Sequence, residues 1–178
     1  ERKYRLTRQI LEQAVVNQTP ISILTKSNLV LRDLDLLSQL NYCEVGMSFS
    51  SSEDQIRRVF EPRTSSIEQR LEALRKIKEA EIRTYAFLGP ILPGLTNLEA
   101  LFECFNEAEV DLVMAENLNM KGAIFPSLIN AIQSHYPDLT ELYYQIKKNP
   151  RNYWDTVKTQ ISELANQYRL PVKLYFDH

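Results

Sequence analysis

The sequence predicts an α/β protein, a parallel sheet covered by helices, built as a piece of a (β/α) barrel or as an open sheet. Three observations carry that expectation. Short apolar runs alternate with longer segments of helical period. The runs are nearly continuous in apolar residues, as strands covered on both faces are. Proline, glycine and hydroxyl residues mark the joints between them.

In chain order, residues 1–16 place Leu6, Ile10 and Ala14, with Tyr4, Leu11 and Val15, at helical spacing. Pro20 introduces the burst 21–26, too short for a helix and therefore a strand. Residues 31–40 return to helical composition, and 43–50 (CEVGMSFS) form a second strand ending in hydroxyls. Ile67, Leu71, Leu74 and Ile77 make a helical stripe, with Ser65 and Glu68 spaced as a capping box. Residues 83–88 are a third strand stopped by Gly89-Pro90; Thr96 and Glu99 cap a helix bearing Leu98, Leu101, Phe102 and Phe105. A fourth strand spans 110–116. Pro126, Pro137 and Pro150 then punctuate a helical region whose last helix aligns Trp154, Val157, Ile161, Leu164 and Tyr168. A short strand, 172–176, closes the chain.

Composition bounds the function. The 178 residues suit one ordinary domain with a sizeable core. Lys and Arg number 21 against 23 Asp and Glu, a net charge of −2, so no bulk positive charge argues for nucleic acid. No apolar run reaches the roughly 20 residues of a membrane span, and no secretory signal opens the sequence, so a cytoplasmic, membrane-free protein is expected. Two cysteines, Cys43 and Cys104, make neither a disulfide framework nor a metal set, and each sits in an apolar context. His135 and His178 are expected at the surface. Nucleotide-loop, nucleophile-elbow and zinc-protease motifs are all absent.

Parallel α/β folds gather functional groups where strands end. Those ends here carry Thr25-Lys26-Ser27, the hydroxyl run from Ser48 to Ser52, the Gly89–Gly94 turn and Glu116-Asn117. An ammonium, hydroxyls, a carboxylate and amides thus converge on one rim, suited to a polar, zwitterionic or phosphorylated small molecule. Each element also has an ordinary structural account. An isolated lysine at a strand end usually faces solvent; Ser52 and Gln55 are spaced as a capping box; Glu61-Pro62-Arg63 reads as a surface turn with an exposed ion pair of little worth. The convergence carries the argument.

At these strand ends the sequence resembles a known family. TKSNLVLRDLDLL (25–37), VGMSFSSSEDQIRRVFEPRTSSIEQRLEALRKIKEA (45–80), AFLGPILPGL (86–95), VMAENLNMKG (113–122) and the terminal PVKLYFDH are similar to the radical S-adenosylmethionine superfamily. Within it they look closest to spore photoproduct lyase and the DNA repair photolyase-like proteins. The resemblance implies an incomplete six-stranded parallel (β/α) barrel over residues 1–122, with 123–178 a helical extension of the same domain. It also implies S-adenosylmethionine cleaved by a [4Fe-4S] cluster to a 5′-deoxyadenosyl radical, an electron donor, and a nucleic-acid substrate. By the same resemblance, Lys26, Ser48 and Ser50 are expected at the cofactor, and Arg63 near its carboxylate. Gly89, Ile91 and Gly94 fall on its adenine side, with Glu116 and Asn117 near the adenine.

The sequence also departs from the family pattern. No CxxxCxxC is present, Pro93-Gly94 replaces the usual ending of the adenine-side motif, and Glu81 stands where relatives usually place glycine. Glu1 aligns with the family's second helix. The expectation is therefore a fragment of a radical enzyme, inactive alone and without a tightly bound cofactor or cluster. The alternative is a non-catalytic binding or interaction module. Arg57, Arg58, Arg63, Lys147, Lys148 and Arg151, with Tyr143, Tyr144, Tyr153 and Trp154 nearby, offer scattered support for nucleic acid, although aromatics at those spacings are more often helix core.

Overall fold

A computed structural model of the chain describes Glu1 and residues 3–176; His178 and the last residues of PVKLYFDH lie outside them. Five strands form one sheet in the order β1 (Ile21–Thr25), β2 (Cys43–Phe49), β3 (Arg83–Ile91), β4 (Leu112–Asn117) and β5 (Val172–Tyr175). Every neighbouring pair is parallel. The helices are α1 (Leu6–Asn17), α2 (Leu34–Leu37), α3 (Asp54–Phe60), α4 (Ile67–Glu79), α5 (Leu98–Glu107), α6 (Ile124–His135), α7 (Thr140–Lys148) and α8 (Pro150–Tyr168), with short 3-10 turns at Asn28–Asp33 and Pro137–Leu139. This is the α/β, partial-barrel architecture that the alternation predicts.

Period-two alternation splits each strand between two faces. Val45, Met47 and Phe49 of β2, Ala86 and Leu88 of β3, and Val113 and Ala115 of β4 are fully buried on one. There they join the apolar faces of the covering helices: Leu71, Leu74 and Ile77 of α4, Leu101, Phe102 and Phe105 of α5, and Trp154, Val157 and Ile161 of α8. The other face is more open, with Leu24 exposed and Phe87 and Met114 half-buried. On that face Gly46 makes room for the Tyr85 ring, which crosses it so that the phenol donates to the Ile23 carbonyl at 3.1 Å. The core is continuous from β2 into α6, α7 and α8, so residues 124–168 share it with the sheet.

Several local expectations are corrected. The capping box of α4 is Ser66 with Gln69, one residue beyond Ser65 and Glu68. Asn97, not Thr96, caps α5, its side chain accepting from the Ala100 N–H; Thr96 instead donates to the Ser50 carbonyl at 2.6 Å. Ser52 and Gln55 form no box, because α3 starts at Asp54 and it is Ser51 Oγ that accepts from the Glu53 N–H. β3 runs past Leu88 to Ile91, since Gly89-Pro90 sits at a register shift against β4 where the missing N–H leaves no ladder bond open. The segment 31–40 folds as a 3-10 turn and a four-residue α2. In α1 only Leu11 and Ala14 are buried, while Leu6 and Ile10 stay exposed. Glu81 takes φ 59°, the left-handed region in which glycine is favoured.

Candidate functional site

The chain from α3 to α4 crosses the C-terminal end of β2 and is tied down from both sides. Arg57 of α3 grips Asp54 with Nε at 2.8 Å and Nη2 at 3.1 Å, and donates to the carbonyls of Glu61 and Thr64. Arg70 of α4 is fully buried. Its Nε donates to Ser65 O at 2.9 Å, its Nη1 to Ser48 O at 2.7 Å and its Nη2 to Glu61 Oε2 at 2.7 Å, with Thr64 Oγ1 also on Nη2. One guanidinium therefore joins the end of β2 to the connection that carries Glu61.

Glu61 occupies the centre. Its second oxygen, Oε1, accepts from Ser50 Oγ at 3.1 Å and faces Lys26 Nζ at 3.1 Å. Burial would raise this carboxyl, but the hydrogen bond and charge of Arg70, then Lys26, hold it below the usual carboxylate range. Lys26 itself leaves the end of β1 and keeps 37% of its side chain exposed; its carbonyl accepts from Ser65 N–H at 3.1 Å. Ser48 Oγ donates to Gly89 O at 3.1 Å, which links β2 to β3.

Of the residues that the sequence singles out, Lys26, Ser48, Ser50 and Gly89 thus come together at the C-terminal ends of β1, β2 and β3. Ile91 pairs in register with Asn117, and both are buried. Glu116 approaches Gly89: a Cβ on that glycine would lie 3.2 Å from Glu116 Cβ. Gly94, at φ 73°, lies against Leu139. Arg63 is exposed, in the connection between α3 and α4, and makes no contact within this network. The cation buried there is Arg70, which sequence reasoning missed. Its signal was available, because Arg70 falls within the stripe Ile67, Leu71, Leu74, and a charge on an apolar helix face demands a buried partner.

The donor set suits a ligand with a carboxylate and hydroxyls. An ammonium with three donors stands at the open side, and the serine hydroxyls retain acceptor capacity. It does not suit a metal cluster. Among the described residues no three His, Cys, Asp or Glu side chains are grouped to hold a metal. Cys43 opens β2 and Cys104 lies in α5. Burial, then the Glu44 charge, pushes the Cys43 thiol up to about 11, and burial raises Cys104 too, away from the thiolate that a metal needs.

A second feature lies beyond β4. Two adjoining clefts of about 330 and 240 Å³ share Pro150 and Trp154 at the start of α8. Lys121 and Lys147 line one; Arg151, Lys158, Asp155 and Phe176 line the other. Lys147 sits 3.7 Å over the Phe125 ring and Lys158 5.6 Å over Phe176. No described helix is long and apolar enough to cross a membrane.

A family model described as the radical SAM superfamily matches residues 2–103. An uncharacterized protein of Methanocaldococcus jannaschii is 33% identical over 142 residues, covering 80% of this chain and 53% of that protein. Another, of Acidianus two-tailed virus, is 28% identical over 182 residues, covering 98% and 57%. The chain spans little more than half the length of these relatives. Among solved structures, Streptococcus suis SuiB bound to S-adenosylmethionine superposes with TM-score 0.64 at 8% identity, over 99% of this chain and 37% of that one. Spore photoproduct lyase complexed with a dinucleoside spore photoproduct gives 0.61 at 19%, over 96% and 56%. At these identities the likeness to solved structures is one of fold.

Proposed function

The chain belongs to the radical SAM superfamily, and from that premise we propose that its strand-end rim binds S-adenosylmethionine as part of a longer radical enzyme. The observation that carries this reading is the convergence of Lys26, Ser48 and Ser50 on Glu61 and Arg70. When bound, S-adenosylmethionine supplies the adenosyl radical on which the superfamily's chemistry depends. The residues of this chain bind and orient. Lys26 offers its ammonium to the carboxylate, and Ser48 and Ser50 offer hydroxyls. The Gly89–Gly94 segment, with Glu116 and Asn117, flanks the adenine; because the Ile91 side chain is buried in the core, its contribution there falls to the main chain. The iron–sulfur cluster has no ligand set among the described residues, so no step is assigned through it; the cluster and its electron donor are read as belonging to other parts of that enzyme.

Calorimetric titration of S-adenosylmethionine tests the rim. A charge-assisted contact contributes about 1.5–3 kcal/mol, so Lys26→Ala should weaken binding by about 10- to 100-fold while the circular dichroism is unchanged. Equal affinity in a folded variant refutes the assignment. Without a cluster to anchor the methionine end, the chain itself should bind weakly, on the order of −5 to −6 kcal/mol.

For the substrate we propose a single-stranded nucleic acid. It is supported by the clefts along α8, where four cations face a single carboxylate and the half-buried Phe176 lines one wall. Lys158 is partly committed to Asp155 at 3.2 Å. Fluorescence anisotropy with a labelled DNA oligonucleotide should show salt-dependent binding. Lys147→Glu with Arg151→Glu should reduce it about tenfold or more and flatten the salt slope. Binding that ignores both changes would remove α8 from the substrate path.

A further inference from the structure

We propose that Glu61 is a positioning residue: anchored to Arg70 through one carboxylate oxygen, it uses the other to aim the Lys26 ammonium at the anionic end of the ligand. The inference rests on the rim reading above and gives Glu61, at the centre of that rim, a role of its own.

Three features carry it. First, the two oxygens of Glu61 do separate jobs. Oε2 takes the Arg70 hydrogen bond at 2.7 Å, while Oε1 is shared by Ser50 Oγ and Lys26 Nζ, each at 3.1 Å. Second, the anchor is rigid. Arg70 is fully buried and also holds Ser48 O and Ser65 O, so it cannot follow Lys26 if the lysine swings away. Third, Glu61 does not need Lys26 as its counter-charge, because Arg70 already supplies one within the protein. The lysine is the exposed member of the group. One of its three donors goes to Glu61, and the others are left for a ligand. A lysine at a strand end otherwise spreads over many rotamers, and a fixed carboxylate removes that spread before the ligand arrives.

The proposal has a sign that a simple electrostatic account does not share. Glu61 is an anion 3.1 Å from Lys26 Nζ, so neutralising it raises the local positive potential. If charge alone mattered, an anionic ligand would bind the Glu61→Gln variant more tightly. If Glu61 positions Lys26, that variant binds more weakly.

The test is calorimetric titration of S-adenosylmethionine into the full chain, its Lys26→Met and Glu61→Gln variants and the double variant. Each single change should weaken binding, by about 5- to 20-fold for Glu61→Gln, and the double variant should be no weaker than Lys26→Met alone. Loss in Lys26→Met with unchanged or tighter binding in Glu61→Gln overturns the positioning role and leaves the rim reading standing. Unchanged affinity in Lys26→Met, or no binding by the unsubstituted chain, overturns the rim reading and the inference with it. Where Glu61→Gln fails to fold, Glu61→Asp takes its place. It keeps the charge for Arg70 but is too short to reach Lys26 as well, and unchanged affinity there is equally fatal. A ligand-free measurement stands beside these: acetic anhydride labelling of the folded, unsubstituted chain, read by mass spectrometry. Lys26 should label several-fold more slowly than the exposed Lys148, and equal rates would mean that it is not held.

Discussion

Arg70 decides how the residues around it behave in acid. Burial works against a charged Glu61, and the Arg70 hydrogen bond and charge, together with Lys26, more than offset it. With its folded-state pKa depressed, Glu61 contributes stability that is complete above the unfolded carboxylate range, about pH 4.3. That contribution is lost as pH falls through the lower folded value. Urea unfolding should therefore show Glu61→Gln destabilised at pH 7, with the gap from the unsubstituted protein narrowing below about pH 4; a gap constant with pH contradicts the pairing. Arg70→Met leaves the buried carboxylate with only the partly exposed Lys26 as counter-charge and should cost about 3–5 kcal/mol at pH 7. The placement of Lys26, Ser48 and Ser50 at strand ends was legible because strand-end position is a property of sequence order. Arg70 was not picked out, and Glu61 was read only as part of a surface turn whereas it is buried, because their pairing joins the end of α3 to α4 and is written in no local motif. The direction of Arg63 was not legible either: a guanidinium in a turn gives no sign of which way it points, and this one points to solvent.

Among the elements, β2 is constrained at one position by its neighbour β3. Its Gly46 lies under the Tyr85 ring, where an added Cβ would stand 2.1 Å from Cε2. Tyr85 cannot retreat without losing its bond to Ile23 of β1. Gly46→Ala should therefore destabilise by about 1–3 kcal/mol, and by less in a Tyr85→Leu background, where no ring lies over the position. Equal penalties in both backgrounds would show that the ring is not the cause. Strands and long helices were readable from period, since apolar runs of strand length and i, i+3, i+4 stripes are local signals. Their ends were less so. The cap of α5 moved from Thr96 to Asn97 because the threonine hydroxyl found a stronger use, bridging Leu92 N–H and Ser50 O. β3 outran its Gly-Pro signal because a register shift absorbed the proline.

At the scale of the whole molecule, the sheet has a protected middle and two edges. β3 is flanked on both sides by β2 and β4, while β1 and β5 each pair on one side among the described residues. Hydrogen exchange should be slowest at buried amides of β3, such as Ala86 and Leu88, and fastest among strands in β1 and β5. Protection of β1 equal to that of β3 would mean that something covers its outer edge. The two edges also differ in setting. β1 borders a cleft of about 270 Å³ lined by Leu11, Ile23 and Leu24, whereas β5 follows directly from α8.

The spatial order of the strands repeats their order along the chain, each parallel to the one before it. During synthesis the amino-terminal end leaves the ribosome first, so each new strand emerges beside a partner already made. No strand must wait for a later one to be inserted between it and its neighbour. The sheet can therefore grow in one direction, like a wall laid course by course, each new strand joining the edge left by the one before it.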